Sequence, residues 1–287
     1  MRDAVNTYYQ LTKPGIIYGN ALAAIGGFLL ASKGHFDVLL FAAMLTGSSL
    51  VIASGCVFNN YLDREIDAHM ARTKKRALVS GRVSARNAII YATLLGLVGF
   101  TVLATYTNRL TVAIGLVGIV FYVIVYGFAK RHSVHGTLVG TISGATPPVA
   151  GYCAVTGRLD LGAVLLFLIL VFWQMPHFYA IAMYRAKDYA AAKLPVLPVV
   201  KGEQITKIQM LVYVIGFMLA TALLTGFGYT GYVFLAVMTL IGLIWLKSSL
   251  QGFTAPDSNL WARKMFKFSL VALVVFCLMI SVDNALA

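Results

Sequence analysis

The sequence predicts an all-α, polytopic membrane protein with about nine transmembrane helices. Hydrophobic residues make up 60% of its 287 positions and charged residues only 11%, a composition too apolar for a soluble domain of this length. The basic residues, moreover, are concentrated in the short connections between apolar segments. No soluble domain, low-complexity tract or long linker interrupts the pattern, so we expect residues 1–287 to form a single transmembrane domain.

Each predicted helix is an apolar segment long enough to cross about 30 Å of hydrocarbon, which takes roughly 20 helical residues. In chain order the nine segments cover about 16–33, 38–58, 87–107, 110–129, 137–157, 161–183, 208–226, 229–249 and 267–285. The seventh and eighth are separated only by a glycine-rich run, Gly226-Phe-Gly-Tyr-Thr-Gly231. The longest connections, about 59–86 and 184–207, both follow even-numbered segments and therefore lie on the same face.

The basic residues predict the orientation in the membrane. Of the 23 Lys and Arg residues, only Lys33, Arg109 and Arg158 fall on the face of the odd-numbered connections. Because positive charge marks the cytoplasmic side, we expect the N-terminus and the two long loops inside and the C-terminus outside. The first 15 residues lack the pattern of a transit peptide, and a bacterial cytoplasmic (inner) membrane is the simplest location.

The net charge of +13 indicates anionic partners. Because the basic residues lie in short loops between spans, membrane lipid and an anionic substrate are favoured over nucleic acid. Cys56, Cys153 and Cys277 lie in or at the ends of apolar segments without metal-binding spacing, so we interpret them as packing residues.

Asn59, Asp63 and Asp67 form the most informative pattern in the chain. A spacing of four residues places successive side chains about 40° apart around a helix and about 6 Å apart along it, so these three form one polar stripe. Two carboxylates and an amide suit Mg²⁺, which is usually shared between one or two carboxylates and a substrate phosphate. The alternative is that the acids only neutralise Arg64 and its neighbours, but paired acids at a membrane boundary offer no obvious packing benefit.

Basic residues follow the polar stripe in the run Arg72-Thr-Lys-Lys-Arg76. Basic residues that follow metal-binding acids could bind the oxygens of a diphosphate. The general excess of Lys and Arg in cytoplasmic loops is an alternative explanation of this run. The second long loop begins similarly, with Tyr184-Arg-Ala-Lys-Asp188, as in a loose internal duplication. There Asp188 is either functional or a surface ion-pair partner of its basic neighbours. Lys130 and Arg131 end the fourth segment after Tyr126 and could be a stop-transfer anchor.

His177 lies in Trp173-Gln-Met-Pro-His177 near the predicted cytoplasmic end of the sixth segment. Pro176 should bend that helix and free a backbone carbonyl. The imidazole could therefore contact a haem iron, a haem propionate or only the freed carbonyl. His132 and His135, in a short cytoplasmic loop, are weaker candidates.

The polar stripe with Arg72-Thr73 and Arg76 resembles the first aspartate-rich motif of the UbiA-type intramembrane prenyltransferases, and Tyr126 with Lys130-Arg131 resembles a further basic motif. The chain is most similar to the haem branch of that superfamily, through six stretches that together span nearly its whole length. They are Thr12-Lys-Pro-Gly15, Ser54-Gly-Cys-Val-Phe-Asn-Asn60, Lys130-Arg-His-Ser133, Gly144-Ala-Thr-Pro-Pro148, Trp173-Gln-Met-Pro-His177 and Leu194-Pro-Val-Leu-Pro-Val199. In the second motif, where the superfamily has D-x-x-x-D, Tyr184 replaces the first acid and only Asp188 remains.

The resemblance implies nine helices around a central cavity and a reaction of farnesyl diphosphate with haem B to give haem O and diphosphate. Haem O serves terminal oxidases, so an oxidase assembly or a haem A synthase is an expected partner. Mg²⁺ is the implied cofactor, and the implied site residues fall into three groups. The catalytic and metal-binding group is Asn59, Asp63, Asp67 and Asp188; the diphosphate group is Arg72, Arg76, Lys130, Lys187 and Lys193; the haem group is His177, His132 and Tyr184.

Two other functions compete with this interpretation. A UbiA-type enzyme acting on a quinone precursor would carry similar local motifs, and only the whole-chain resemblance favours haem. A secondary transporter is less well supported, because transporters place ionisable groups and broken helices near the membrane midplane. Here the polar residues collect at one end of the spans.

Overall fold

The computed structural model describes residues 2–286 of the chain, and the side chains of residues 3–283. The C-terminal residue, expected outside the cytoplasm, falls beyond that range, as does the side chain of Arg2. All regular structure in the described part is helical. The helices are α1 Arg2–Leu11, α2 Pro14–Ser32, α3 Val38–Leu62, α4 Arg64–Ala68, α5 Ala85–Tyr106, α6 Arg109–Val120, a π-helical turn Phe121–Val125, α7 Tyr126–His132, α8 Gly136–Gly144, α9 Thr146–Thr156, α10 Leu161–Tyr184, α11 Ala186–Ala191, α12 Leu197–Val200, α13 Gly202–Gly226, α14 Tyr232–Gln251 and α15 Ser258–Leu286.

The nine predicted spans are present within residues 2–286, although one of them is broken. Eight are helices long and apolar enough to cross a membrane. The fifth is divided at Ala145 into α8 and α9. Pro147 and Pro148 occupy the first turn of α9, where they can start a helix but cannot donate the backbone hydrogen bonds that would continue α8.

Two spans begin earlier than the hydropathy pattern predicts. Helix α13 starts at Gly202 rather than near residue 208, and α15 starts at Ser258 rather than near residue 267. In both, the added first turns are polar or charged, as in Arg263 and Lys264 of α15. An apolar window detects only the part of a helix that lies in hydrocarbon, so it misses such turns.

The helices form two groups that enclose a cavity. Helix α3 packs along α5 in the N-terminal half, and α10 packs against α13 and α15 in the C-terminal half. Helix α2 joins the groups through α9 and α15. Glycines allow close helix approach: a Cβ on Gly47 of α3 would lie 2.8 Å from the Leu103 side chain of α5.

The fourth span, Arg109–His132, is the least packed against the protein: only 6% of its apolar window is buried. It contains the π-helical turn, and such turns inside α-helices are frequent at functional sites. Its last turn, α7, crosses close to the start of α8. A Cβ on Gly136 would lie 2.7 Å from Lys130 Cα, so glycine is needed there to seat α8 beside Lys130.

Candidate active site

The polar stripe has the predicted geometry although it crosses a helix boundary. Helix α3 ends at Leu62 and α4 begins at Arg64, with Asp63 at the joint. The backbone keeps its helical hydrogen bonds there, from Asp63 N to Asn59 O (2.9 Å) and from Asp67 N to Asp63 O (2.8 Å). Asn59, Asp63 and Asp67 are 3%, 8% and 2% exposed, so two carboxylates are buried side by side at the end of a span.

Each acid of the stripe is paired with at least one basic side chain. Lys130 Nζ forms a hydrogen-bonded ion pair with Asp63, which also accepts from Arg131 Nη2 at 3.3 Å. Arg76 Nη1 lies 2.5 Å from Asp67 Oδ2. These contacts join loop 69–84 and the fourth span to the stripe. Two of the cations that the sequence assigned to a diphosphate, Arg76 and Lys130, thus contact the acids assigned to its metal.

Lys13 lies in the candidate site, although sequence reasoning did not select it. It donates from Nζ to Asn59 Oδ1 at 2.6 Å and lines the cavity. Its backbone has φ 53°, a left-handed conformation that costs free energy in a lysine and is often found at functional sites. Burial, helped by nearby Arg76 and Lys130, lowers the pKa of Lys13 to about 8, while Cys56 and Asp63 oppose this shift. The only signal was its place in the Thr12-Lys-Pro-Gly15 stretch.

The two long loops close over one cavity of about 610 Å³. That volume is within the range of about 300–1,000 Å³ typical of small-ligand sites. The first loop contributes Asp67, Arg72 and Arg76 to the polar end, and the second contributes Arg185 and Tyr189. Burial raises the pKa of the Tyr189 phenol, which therefore stays protonated and able to donate a hydrogen bond.

The second loop does not present the residues that the sequence favoured. Helix α10 ends at Tyr184 and Arg185 is non-helical, so Asp188 does not continue the face of Tyr184, and the cavity is lined by Tyr184, Arg185 and Tyr189 instead. Asp188 instead pairs with Arg185 at 3.5 Å and is not part of the cavity wall. Lys187 and Lys193 are exposed and also lie outside the wall. The structure therefore does not bring Asp188, Lys187 or Lys193 to the polar stripe.

The haem candidates separate in the same way. His177 and Tyr184 line the cavity, which continues from the cationic end along apolar residues such as Leu170 and Leu273. His132 is exposed, stacks on Phe128 with ring centroids 4.3 Å apart and donates from Nδ1 to the Phe128 carbonyl at 2.9 Å. It lies outside the cavity wall, and so does His135.

Residues 20–271 match the model of the UbiA prenyltransferase family. The chain belongs to that family. It is 54% identical over 96% of its length to the protoheme IX farnesyltransferase of Klebsiella pneumoniae, of which it covers 94%. It is 52% identical over 97% of its length to the protein of the same name from Yersinia pseudotuberculosis, of which it covers 95%.

Solved structures of UbiA-type proteins share the fold of this UbiA-family chain at low sequence identity. A digeranylgeranylglyceryl phosphate synthase superposes with a TM-score of 0.81 at 18% identity, covering 99% of this chain and 100% of the other. The UbiA homologue from Archaeoglobus fulgidus bound to GPP and Mg²⁺ gives a TM-score of 0.74 at 15% identity, covering 96% and 99%. Family membership favours an enzyme over the transporter interpretation.

Proposed function

We propose that this chain is a prenyltransferase that transfers the farnesyl group of farnesyl diphosphate to a vinyl group of haem B, with addition of water, giving haem O and diphosphate. The observation that carries the proposal is its identity of more than half, over nearly the whole chain, to proteins named protoheme IX farnesyltransferase. The cavity supports it, because a cationic end and an apolar, aromatic end are joined in one space.

The cationic end suits a diphosphate with Mg²⁺. Asp63, Asp67 and Asn59 offer the hard oxygen ligands that Mg²⁺ shares with substrate phosphates. The Nδ2 atom of Asn59 is buried without a hydrogen-bond partner among the described residues, and a diphosphate oxygen would supply one. When bound, Mg²⁺ would offset the charge of the leaving diphosphate. Asp188 contributes only if the Arg185 pair opens, since the structure keeps it off the cavity wall.

The basic side chains of the site would stabilise the diphosphate as its bond to the farnesyl group breaks. The oxygens of the stripe now accept hydrogen bonds from Lys13, Arg76 and Lys130. The oxygens of a bound diphosphate would accept from the same donors instead. Arg72, which lines the cavity without an ion pair in the described part of the chain, is free to bind directly. Negative charge grows on the diphosphate as the allylic C–O bond breaks, so these fixed cations lower the barrier.

The apolar end directs the electrophile. The farnesyl cation forms a carbon–carbon bond with the electron-rich haem vinyl group, and positive charge moves to the carbon next to the porphyrin. The oxygen of a water molecule bonds to that carbon and a second water molecule takes the proton, leaving a hydroxyethyl group. The apolar cavity wall, including Leu170 and Leu273, excludes water from the first cation. No strong general base is needed for this addition of water.

One assay tests the proposal directly. Detergent-solubilised protein is incubated with farnesyl diphosphate, Mg²⁺ and either haem B or an aromatic quinone precursor, and the products are identified by mass. We expect farnesylated, hydrated haem and no prenylated quinone precursor. Prenylation of the quinone precursor alone would replace this proposal with the runner-up function.

The location of the site predicts the topology. The residues of the cationic end lie before the first span, at the C-terminal ends of even-numbered spans or in the two long loops that follow them, which is the face with most Lys and Arg. We propose a bacterial cytoplasmic membrane with this face inside, where an oxidase assembly or haem A synthase would receive the product.

A reporter inserted near Lys75 should then be cytoplasmic and one fused to the C-terminus external. Both reporters on one side would exclude nine spans.

A further inference from the structure

A chain of hydrogen bonds determines which nitrogen of His177 carries the proton. Nδ1 of His177 lies 2.7 Å from Ser269 Oγ of α15. Ser269 Oγ in turn lies 2.6 Å from the carbonyl oxygen of Phe266. A carbonyl can only accept, and a serine hydroxyl has one hydrogen to give. Ser269 therefore donates to Phe266 and can only accept from His177, so Nδ1 must carry a hydrogen.

The other ring nitrogen is consequently an acceptor in the neutral ring. With Nδ1 protonated, Nε2 has a free lone pair. Nε2 has no hydrogen-bond partner among the described residues, yet it is not among their buried, unpartnered polar atoms. It is thus accessible from the cavity that His177 lines.

Aromatic neighbours fix the imidazole in this position. Trp173 stacks on it with ring centroids 4.9 Å apart and 24° between planes, and Phe266 packs at 4.9 Å on it as well. Trp173 is itself anchored, because its indole nitrogen donates to the Ser269 carbonyl at 2.6 Å. Residue Ser269 therefore holds both the ring and its stacking partner.

We propose that Ser269 is a positioning residue that orients His177 so that Nε2 binds the iron of the haem substrate. The inference rests on the proposed function and names a contact within that same site. Metal-binding histidines commonly donate their second ring nitrogen to a fixed acceptor, which sets the tautomer and the ring orientation. Axial binding of the iron would place the haem vinyl groups at a defined position in the cavity.

The geometry discriminates against the two other roles considered for His177. A propionate contact needs a donor, and Nε2 could supply one only if this buried ring took up a second proton, whereas iron binding uses the neutral ring as it stands. The backbone carbonyl freed by Pro176 is that of Phe172, but the Nδ1 hydrogen is already committed to Ser269.

Two porphyrins test the contact. Ferric haem B and metal-free protoporphyrin IX share vinyl and propionate groups, but only haem offers iron. Spectral titration of Ser269→Ala should show roughly 10-fold weaker haem binding, the scale typical for loss of such a supporting bond, and unchanged protoporphyrin binding. His177→Ala should lose more haem affinity, again without effect on protoporphyrin. Added imidazole should restore the haem spectrum in His177→Gly.

A matched control is available in the same helix. Ser281 of α15 also donates to a backbone carbonyl, that of Cys277 at 3.0 Å, and does not contact His177. Ser281→Ala should bind both porphyrins normally. If Ser269→Ala does not accumulate, Ser269→Cys, whose thiol is a weaker acceptor, should show a smaller loss of haem affinity.

The outcomes separate this inference from the proposed function. Equal losses for both porphyrins in the Ser269 and His177 variants would indicate a propionate contact and overturn the iron assignment, as would no loss at all. Both results are compatible with wild-type formation of haem O. If the wild-type protein binds haem through His177 but forms no product with farnesyl diphosphate, the proposed function fails and the iron contact stands.

Discussion

Asp63→Asn and Asp67→Asn should each reduce product formation by at least about 100-fold, the scale for removing one fixed group that stabilises transition-state charge. Both carboxylates are buried at the cationic end of the cavity. Asparagine keeps the shape and an acceptor oxygen for Lys130 or Arg76 but loses the charge that Mg²⁺ needs. Alanine would leave a buried cation unpaired and thereby confuse a loss of stability with a loss of activity. The measurement is product mass per unit of folded, membrane-inserted protein.

Asp160 provides the matched control for these variants. It lies at the opposite end of the spans, where it caps α10 through the backbone nitrogen of Gly162 at 3.0 Å and pairs with Arg158. Because asparagine caps helices about as well as aspartate, Asp160→Asn should retain turnover. Near-normal turnover of Asp63→Asn or Asp67→Asn at saturating Mg²⁺ would refute the assignment of the metal to the stripe.

Lys13→Met should lower kcat/KM for farnesyl diphosphate by about 100-fold, because it removes a fixed cation from the site of the departing charge. The pH dependence gives a second test. With the pKa of Lys13 lowered to about 8, the cation is present below that pH and lost above it. The wild-type kcat/KM should therefore fall as pH rises through about 8, since kcat/KM reports groups of the free enzyme. That alkaline limb should be missing from the residual activity of Lys13→Met.

Lys33 is the appropriate comparison for Lys13. It also has a left-handed backbone, with φ 41°, and it also flanks α2, but at the end remote from the polar stripe. Lys33→Met should leave both kcat/KM and the pH profile unchanged. Equal effects in the two variants would mean that the backbone strain at the ends of α2, rather than the charge of Lys13, accounts for the result.

Most of the fold could be predicted because hydropathy depends only on local composition. Eight spans are uninterrupted, and the break at Ala145 has a local cause in Pro147 and Pro148 that hydropathy does not register. The added first turns of α13 and α15 were invisible for the same reason, since charged residues lower the hydropathy of a helix without ending it.

The candidate site could be predicted from the sequence where the folded chain keeps a helical spacing of four residues. Asn59, Asp63 and Asp67 stay four residues apart on nearly helical backbone, so their adjacency follows from the sequence. The second loop changes register at Arg185, which only the folded chain reveals, and Tyr189 rather than Asp188 faces the cavity. Lys13 reaches Asn59 across 46 positions of sequence, a tertiary contact with no periodic signal.

The sparse packing of the fourth span would couple the proposed site to the surrounding bilayer. This helix carries Tyr126 and Lys130 into the cavity, while only 6% of its apolar window is buried inside the protein. A helix whose hydrophobic length differs from the local bilayer thickness can adjust by tilting, and this span has the smallest buried share of the eight to restrain it. Tilting would displace Lys130 from Asp63, so acyl chain length and membrane order become determinants of how well the cationic end is assembled.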